Sequence, residues 1–274
     1  MAFTATFWGV RGTIPCPAPT HIEFGGNTSC VEVSLDERKI ILDCGTGLRG
    51  LGKHFLEGSA RHATILLSHV HLDHIAGFPF FQPAFNPAFS FHITAGRYNG
   101  NPDIRTVLAN QMEPPLFPVP LRTMRAQLSF ENFEPGARLE LDGGLIVRTA
   151  PLRHPDGASG YRIDYDGRSL AYVTDTEHVP GELDRNILEL IEGADLVIYD
   201  STYTEAEFVC KVGWGHSTWN QGIKLCREAG AKRLALFHHE PDHDDIFMTA
   251  LEREAQAVWA PVFAAREGST VTIA

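Results

Sequence analysis

The sequence predicts a layered α/β or α+β domain, with sheets inside and helices outside, on three observations. Short apolar and β-branched runs bounded by Gly, Pro, Asp or Asn recur along the whole chain. Helical periodicity appears in about six places. The first half is mostly strand-like, whereas the second alternates strand and helix, a mixture that stacks sheets under helices.

In chain order, "FTATFWG", "CVEVSL", "KIILD", "ATILLSH" and "FSFHITA" read as strands of the first half. "LIVRTAP", "GYRIDYDG", "SLAYVTD", "ADLVIYDS", "RLALFHH" and "STVTIA" follow in the second. The helices are read at "DIRTVLANQM", "ELDRNILELIEG", "STWNQGIKLCREAG" and "DIFMTALEREAQAVW". Ser217 is the expected N-cap of the third, with Gly230 closing it. A further helix is expected at "IAGFPFF". The Pro- and Phe-rich stretches "FPFFQPAFNPAFSFH" and "MEPPLFPVPLRTM" are read as a partly exposed flap that covers a site or meets a second copy in a homodimer.

The chain has 274 residues, 43% of them hydrophobic and 21% charged, enough for a sizeable core, and no internal boundary stands out. Residues 1–274 are therefore expected to form a single domain. The formal net charge of −11 argues against a long nucleic acid as partner, since such affinity rests on neutralising phosphates. A small anionic substrate drawn in by a metal remains compatible. No apolar run approaches membrane-span length, and "MAFTATFWGVRG" lacks the pattern of a secretory signal. Five cysteines, an odd number at irregular spacing, suit a reducing compartment, so a cytoplasmic location is expected.

The chemistry concentrates in "SHVHLDHIAG", where three histidines and an aspartate fall within six positions. Alternate side chains share a face in extended chain, so His69 and His71 can address one centre, while Asp73 and His74 address a neighbouring one. Imidazole and carboxylate suit zinc, manganese and iron. One loop rarely completes a metal site, and His154, Asp175 and His238 each stand at the end of a β run, where a rigid scaffold can present them.

His-x-His-x-Asp-His followed by a spaced His, Asp and His resembles the metallo-β-lactamase superfamily of dinuclear metallohydrolases. The resemblance covers nearly the whole chain. It implies a four-layer αββα sandwich of the α+β class with two divalent cations at one edge. His69, His71 and His154 would hold one cation, Asp73, His74 and His238 the other, and Asp175 would bridge them. Asp43 in "ILDCGTG" matches the early aspartate that orients the histidine loop. His239 adjoins His238, but the ligand directly after the strand is expected to be His238. His243, in "DHDD", is read mainly as part of a charged helix start, with a role in lining the pocket as the alternative.

"GWGHSTWNQG" resembles the His-Ser-Thr motif of the phosphodiesterase branch, which includes tRNase Z and small cyclic-phosphate phosphodiesterases. His216 would then be the general acid, and Asp200 in "YDST" the carboxylate behind it. The chain lacks the basic Gly/Pro-rich arm of the tRNA-processing enzyme, which points to a smaller substrate, such as a cyclic nucleotide. The expected activity is phosphodiester hydrolysis by a hydroxide shared between the cations, with Asp73 orienting it. The competing readings are a lactone or thioester hydrolase using the same cations, and a metal-binding sensor without turnover.

Overall fold

In the computed structural model, which describes residues 2–98, 100, 102–141 and 143–274, the strand runs assemble into two seven-stranded sheets. The first contains β1 (Phe3–Gly9), β2 (Cys30–Leu35), β3 (Arg38–Leu42), β4 (His62–Leu67), β5 (Ser90–Gly96), β6 (Gln127–Phe133) and β14 (Thr270–Thr272), in the order β14-β1-β2-β3-β4-β5-β6. The second contains β7 (Arg138–Leu141), β8 (Leu145–Leu152), β9 (Ala158–Tyr165), β10 (Arg168–Val173), β11 (Leu196–Asp200), β12 (Leu234–Phe237) and β13 (Val262–Ala264), in the order β13-β12-β11-β10-β9-β8-β7.

Period-2 alternation decides the layering. Phe3, Ala5 and Phe7 of β1, Ile40 and Leu42 of β3, Leu196 and Ile198 of β11, and Ala235 and Phe237 of β12 meet in one interior between the sheets. The alternate residues point outward. Ile41 and Ile65 pack under α1 (Leu48–Glu57) and α3 (Ile104–Gln111). Val197, Tyr199 and Leu236 pack under α4 (Arg185–Ile191), α6 (Trp219–Glu228) and α7 (Asp245–Val258). Each such buried Leu, Ile or Phe is worth roughly 1.5–3 kcal/mol, so three apolar layers bind the helices and sheets into the expected αββα sandwich.

Three sequence expectations need correction. Thr218, not Ser217, caps α6: its hydroxyl accepts from Gln221 N, while the Ser217 hydroxyl is taken by His178 and Tyr199. Gly230 does follow the helix in the left-handed region, at φ +67°. The helix after the histidine cluster comes earlier than "IAGFPFF", as α2 (Leu72–Ile75), which itself carries Asp73 and His74, and Phe78–Phe80 is a 3₁₀ turn. The first Phe/Pro stretch is no flap: Phe78, Phe81, Phe89 and Phe91 are buried against the helical layer, and only Phe80 is left well exposed, edge-on to Phe117. Apolar mass of that kind is stabilised more by the outer face of a sheet than by a lid over a polar site.

Candidate metal centre

Strands β3, β4 and β5 run parallel, as do β10, β11 and β12, so their carboxyl ends open along one edge of the sandwich, where α/β sheets place ligands. Asp43 follows β3, His69 follows β4, His154 follows β8, Asp175 follows β10, Asp200 ends β11 and His238 follows β12. Asp43, Asp175 and His238 all hold positive φ, at 62°, 54° and 61°. Non-glycine residues adopt that region at a cost of roughly 1–3 kcal/mol, and here it turns each side chain from the strand end into the cleft.

The structure brings all seven predicted ligand residues together. Nε2 of His74 and of His238 lie 3.3 Å apart, and Asp73 Oδ2 is 3.3 Å from each. Asp175 Oδ2 lies 3.1 Å from His74 Nε2 and 3.3 Å from His238 Nε2. The other oxygen of the same carboxylate, Oδ1, lies 3.7 Å from Nε2 of both His69 and His154. His154 Nε2 is in turn 3.1 Å from His71 Nδ1. Asp175 therefore stands between a His69/His71/His154 cluster and an Asp73/His74/His238 cluster.

The proton inventory of these rings tests whether cations fit. His74 Nδ1 faces the Asp43 carboxylate at 2.8 Å and must donate to it. His154 Nδ1 donates to the Gly215 carbonyl at 2.8 Å. His238 Nδ1 donates to Thr202 Oγ1 at 3.0 Å, whose own proton faces Asp200 Oδ1 at 2.7 Å. In its neutral form each of these three rings is left with a bare Nε2 lone pair aimed at other acceptors. The buried His69 Nε2 has no hydrogen-bond partner at all. Convergent lone pairs and carboxylates need positive charge among them, and divalent cations fit that donor set.

The charge balance agrees. Burial opposes ionisation of Asp73 and Asp175, yet the facing histidines hold both carboxyls well below the usual range. Burial keeps His69 and His154 neutral, the form that ligates. For His74 burial acts in the same direction, but Asp175, Asp73 and Asp43 outweigh it and draw positive charge to this spot.

Asp43 is the organiser, as the resemblance implied. Its Oδ1 accepts from Ser68 N at 2.7 Å, and its Oδ2 accepts from Ser68 Oγ at 2.8 Å, His74 Nδ1 at 2.8 Å and Tyr172 OH at 2.7 Å. His216 lies beside the cluster, stacked on His238 at 4.8 Å. Its Nδ1 donates to Asp200 Oδ2 at 3.0 Å. Burial alone would depress this imidazole, but the Asp200 carboxylate outweighs it and lifts it to about 9. His239 turns away: its ring is buried against Phe24, bonds the Ala265 carbonyl, and is pushed down to about 3 by burial. His243 bonds Glu207 Oε1 at 2.8 Å and stacks on Phe247.

Sequence reading missed the clamps. The Thr13 amide donates to Asp73 Oδ2 at 2.7 Å. Gly12 is a glycine because the His238 ring fills its side-chain space: a Cβ there would lie 2.3 Å from the ring. Arg11 is wholly buried and donates to the carbonyls of Gly25, Glu240 and His243, tying this loop to the segment after β12. The run "GVRGT" was the available signal, since two glycines around a buried cation mark a close-packed turn.

Among known proteins, the family description "Beta-lactamase superfamily domain" matches residues 38–239. The Ribonuclease Z of Porphyromonas gingivalis is 24% identical over 97% of this chain and 97% of its own length. The metallo-beta-lactamase fold protein YhfI from Bacillus subtilis superposes with a TM-score of 0.73 at 19% identity, covering 98% of both chains. A diphosphatase from the PhnP family superposes with a TM-score of 0.71 at 18% identity, covering 98% of this chain and 97% of its own. The two superpositions show the fold.

Proposed function

The chain belongs to the beta-lactamase superfamily, and on that footing we propose that residues 1–274 act as one catalytic unit hydrolysing small phosphodiesters, cyclic nucleotides among them. It is a metal-dependent hydrolase of the phosphodiesterase type. The observation that carries the reading is the Asp175 carboxylate, one oxygen facing each histidine cluster, with His216 and Asp200 alongside.

His69, His71 and His154 would hold one divalent cation, and Asp73, His74 and His238 the other, with Asp175 shared; zinc suits the donors best, with manganese or iron as alternatives. Bound there, the pair supplies Lewis acidity towards a phosphoryl oxygen and a more acidic water. Asp73, held by the Thr13 amide, orients the attacking water. As the new P–O bond forms, the attacking water releases one proton to bulk solvent and the bond to the leaving oxygen breaks. His216, whose Nδ1 is committed to Asp200, gives its Nε2 proton to that oxygen.

The relative's name, Ribonuclease Z, makes RNA the competing substrate, whereas the net charge of −11 favours a small one. Five free cysteines fit a cytoplasmic setting, and no helix among the described residues is long and apolar enough to cross a membrane. The test is a panel of bis-p-nitrophenyl phosphate, cyclic nucleotides, an RNA, a lactone and a thioester, run on protein of measured metal content. Turnover of the first two classes above the rest supports the reading; lactone or thioester turnover alone overturns it.

A further inference from the structure

The loop before His216 holds a tryptophan out in solvent on a rigid mount. Trp214 keeps 59% of its surface exposed, whereas Trp219, five residues on, keeps 5%. It sits between Gly213 at φ +90° and Gly215 at φ +86°. The amides of both glycines donate to one carboxylate oxygen, Glu177 Oε2, at 2.7 and 2.8 Å. The Gly215 carbonyl accepts from His154 Nδ1, and a Cβ on Gly215 would lie 2.3 Å from that nitrogen. The turn that presents the indole is thus locked to a histidine of the metal centre, so the ring's position relative to the centre is set.

A cation completes the platform. Lys211 Nζ stands 4.1 Å from the Trp214 ring centroid and 5.8 Å from that of Tyr203, which in turn meets His216 edge-on at 5.9 Å. A path of π surface and positive charge leads from the catalytic imidazole to solvent, on a chain of net charge −11. An apolar ring gains nothing for the fold in water; clamped beside a site for phosphodiesters, it offers a stacking face to a base and a counter-charge to phosphate.

We propose that Trp214 and Lys211 form the subsite for the nucleobase of a nucleotide substrate, with Glu177 as the residue that positions it. This rests on the phosphodiesterase reading, and two measurements separate their fates. The first compares kcat/KM on metal-loaded protein for adenosine 2′,3′-cyclic phosphate and for glycerol 1,2-cyclic phosphate, which has the same ring ester without a base. Trp214→Ala should lower the ratio of the two by roughly 5- to 150-fold, the range of one stacked base, and Trp214→Phe should retain most of it. The second follows saturable quenching of tryptophan emission by adenosine monophosphate, present in wild type and absent from Trp214→Phe. An equal loss on both esters, absence of quenching, or quenching that grows with protein concentration alone (a second copy on this face) overturns the subsite. If wild type cleaves neither ester, the small-phosphodiester reading falls, and the quenching still decides the subsite.

Discussion

Replacing Asp43 by Asn changes one oxygen for one NH₂ in a fully buried position, and the structure sets the cost. Three donors converge on Oδ2 (His74 Nδ1, Ser68 Oγ and Tyr172 OH) and one, Ser68 N, reaches Oδ1. The carboxamide does best by keeping its oxygen towards the three, which leaves its NH₂ facing the Ser68 amide. A buried donor without an acceptor costs about 1–3 kcal/mol, and the three remaining bonds lose the charge that makes such bonds about twice as strong. A loss of ~2–4 kcal/mol follows, which in a chain of 274 residues lowers Tm by ~4–7 °C. Because the acceptor that orients His74 Nδ1 loses its negative charge, affinity for the cation beside it should fall about 10- to 100-fold. Thermal unfolding of apo protein and competition with a chromophoric chelator measure the two effects separately. A Tm within ~2 °C of wild type, with unchanged metal affinity, would refute the organising role given to Asp43.

Three further outcomes are expected. His216→Ala should retain its metal yet lose about 10²- to 10⁴-fold in kcat, with the larger loss on poor leaving groups; elemental analysis beside steady-state kinetics checks both, and full activity on an alkyl leaving group removes His216 from the proposed chemistry. Gly215→Ala forces a Cβ to within 2.3 Å of His154 Nδ1 at φ +86°, so the variant should bind one cation about 10- to 100-fold more weakly while the Asp73/His74/His238 cluster stays filled, as read by metal titration. Chelation should lower Tm, because each cation present at 100 times its Kd contributes ~2.7 kcal/mol to the folded state; a melting curve indifferent to chelator and to added zinc contradicts the donor geometry.

Much of the site was legible because its signals are local. His69, His71, Asp73 and His74 lie within six positions, and His154, Asp175 and His238 each follow an apolar β run, so patterning alone placed them at strand ends. What escaped was set by tertiary contact. Nothing in the local sequence shows that Thr13 offers its amide to Asp73 or that Glu177 pins two glycine amides. Strands β6 and β7 went unread because they border their sheets, where side chains alternate between exposed and half-buried and the apolar signal fades. Strand β13 is only three residues long. The Phe/Pro segment misled because proline breaks helical and strand patterns alike, although its phenylalanines fill an ordinary core layer. Ser217 and Thr218 are adjacent and chemically equivalent as caps, and only the competing claims of Tyr199 and His178 on the serine separate them.

The most direct test of the metal centre is the stoichiometry and location of bound cations in purified, zinc-reconstituted protein, by elemental analysis and anomalous scattering. The expected result is two cations per chain, one on each side of the Asp175 carboxylate, both lost together in Asp175→Ala. A single cation, none, or a pair bound elsewhere with Asp175 free would contradict it.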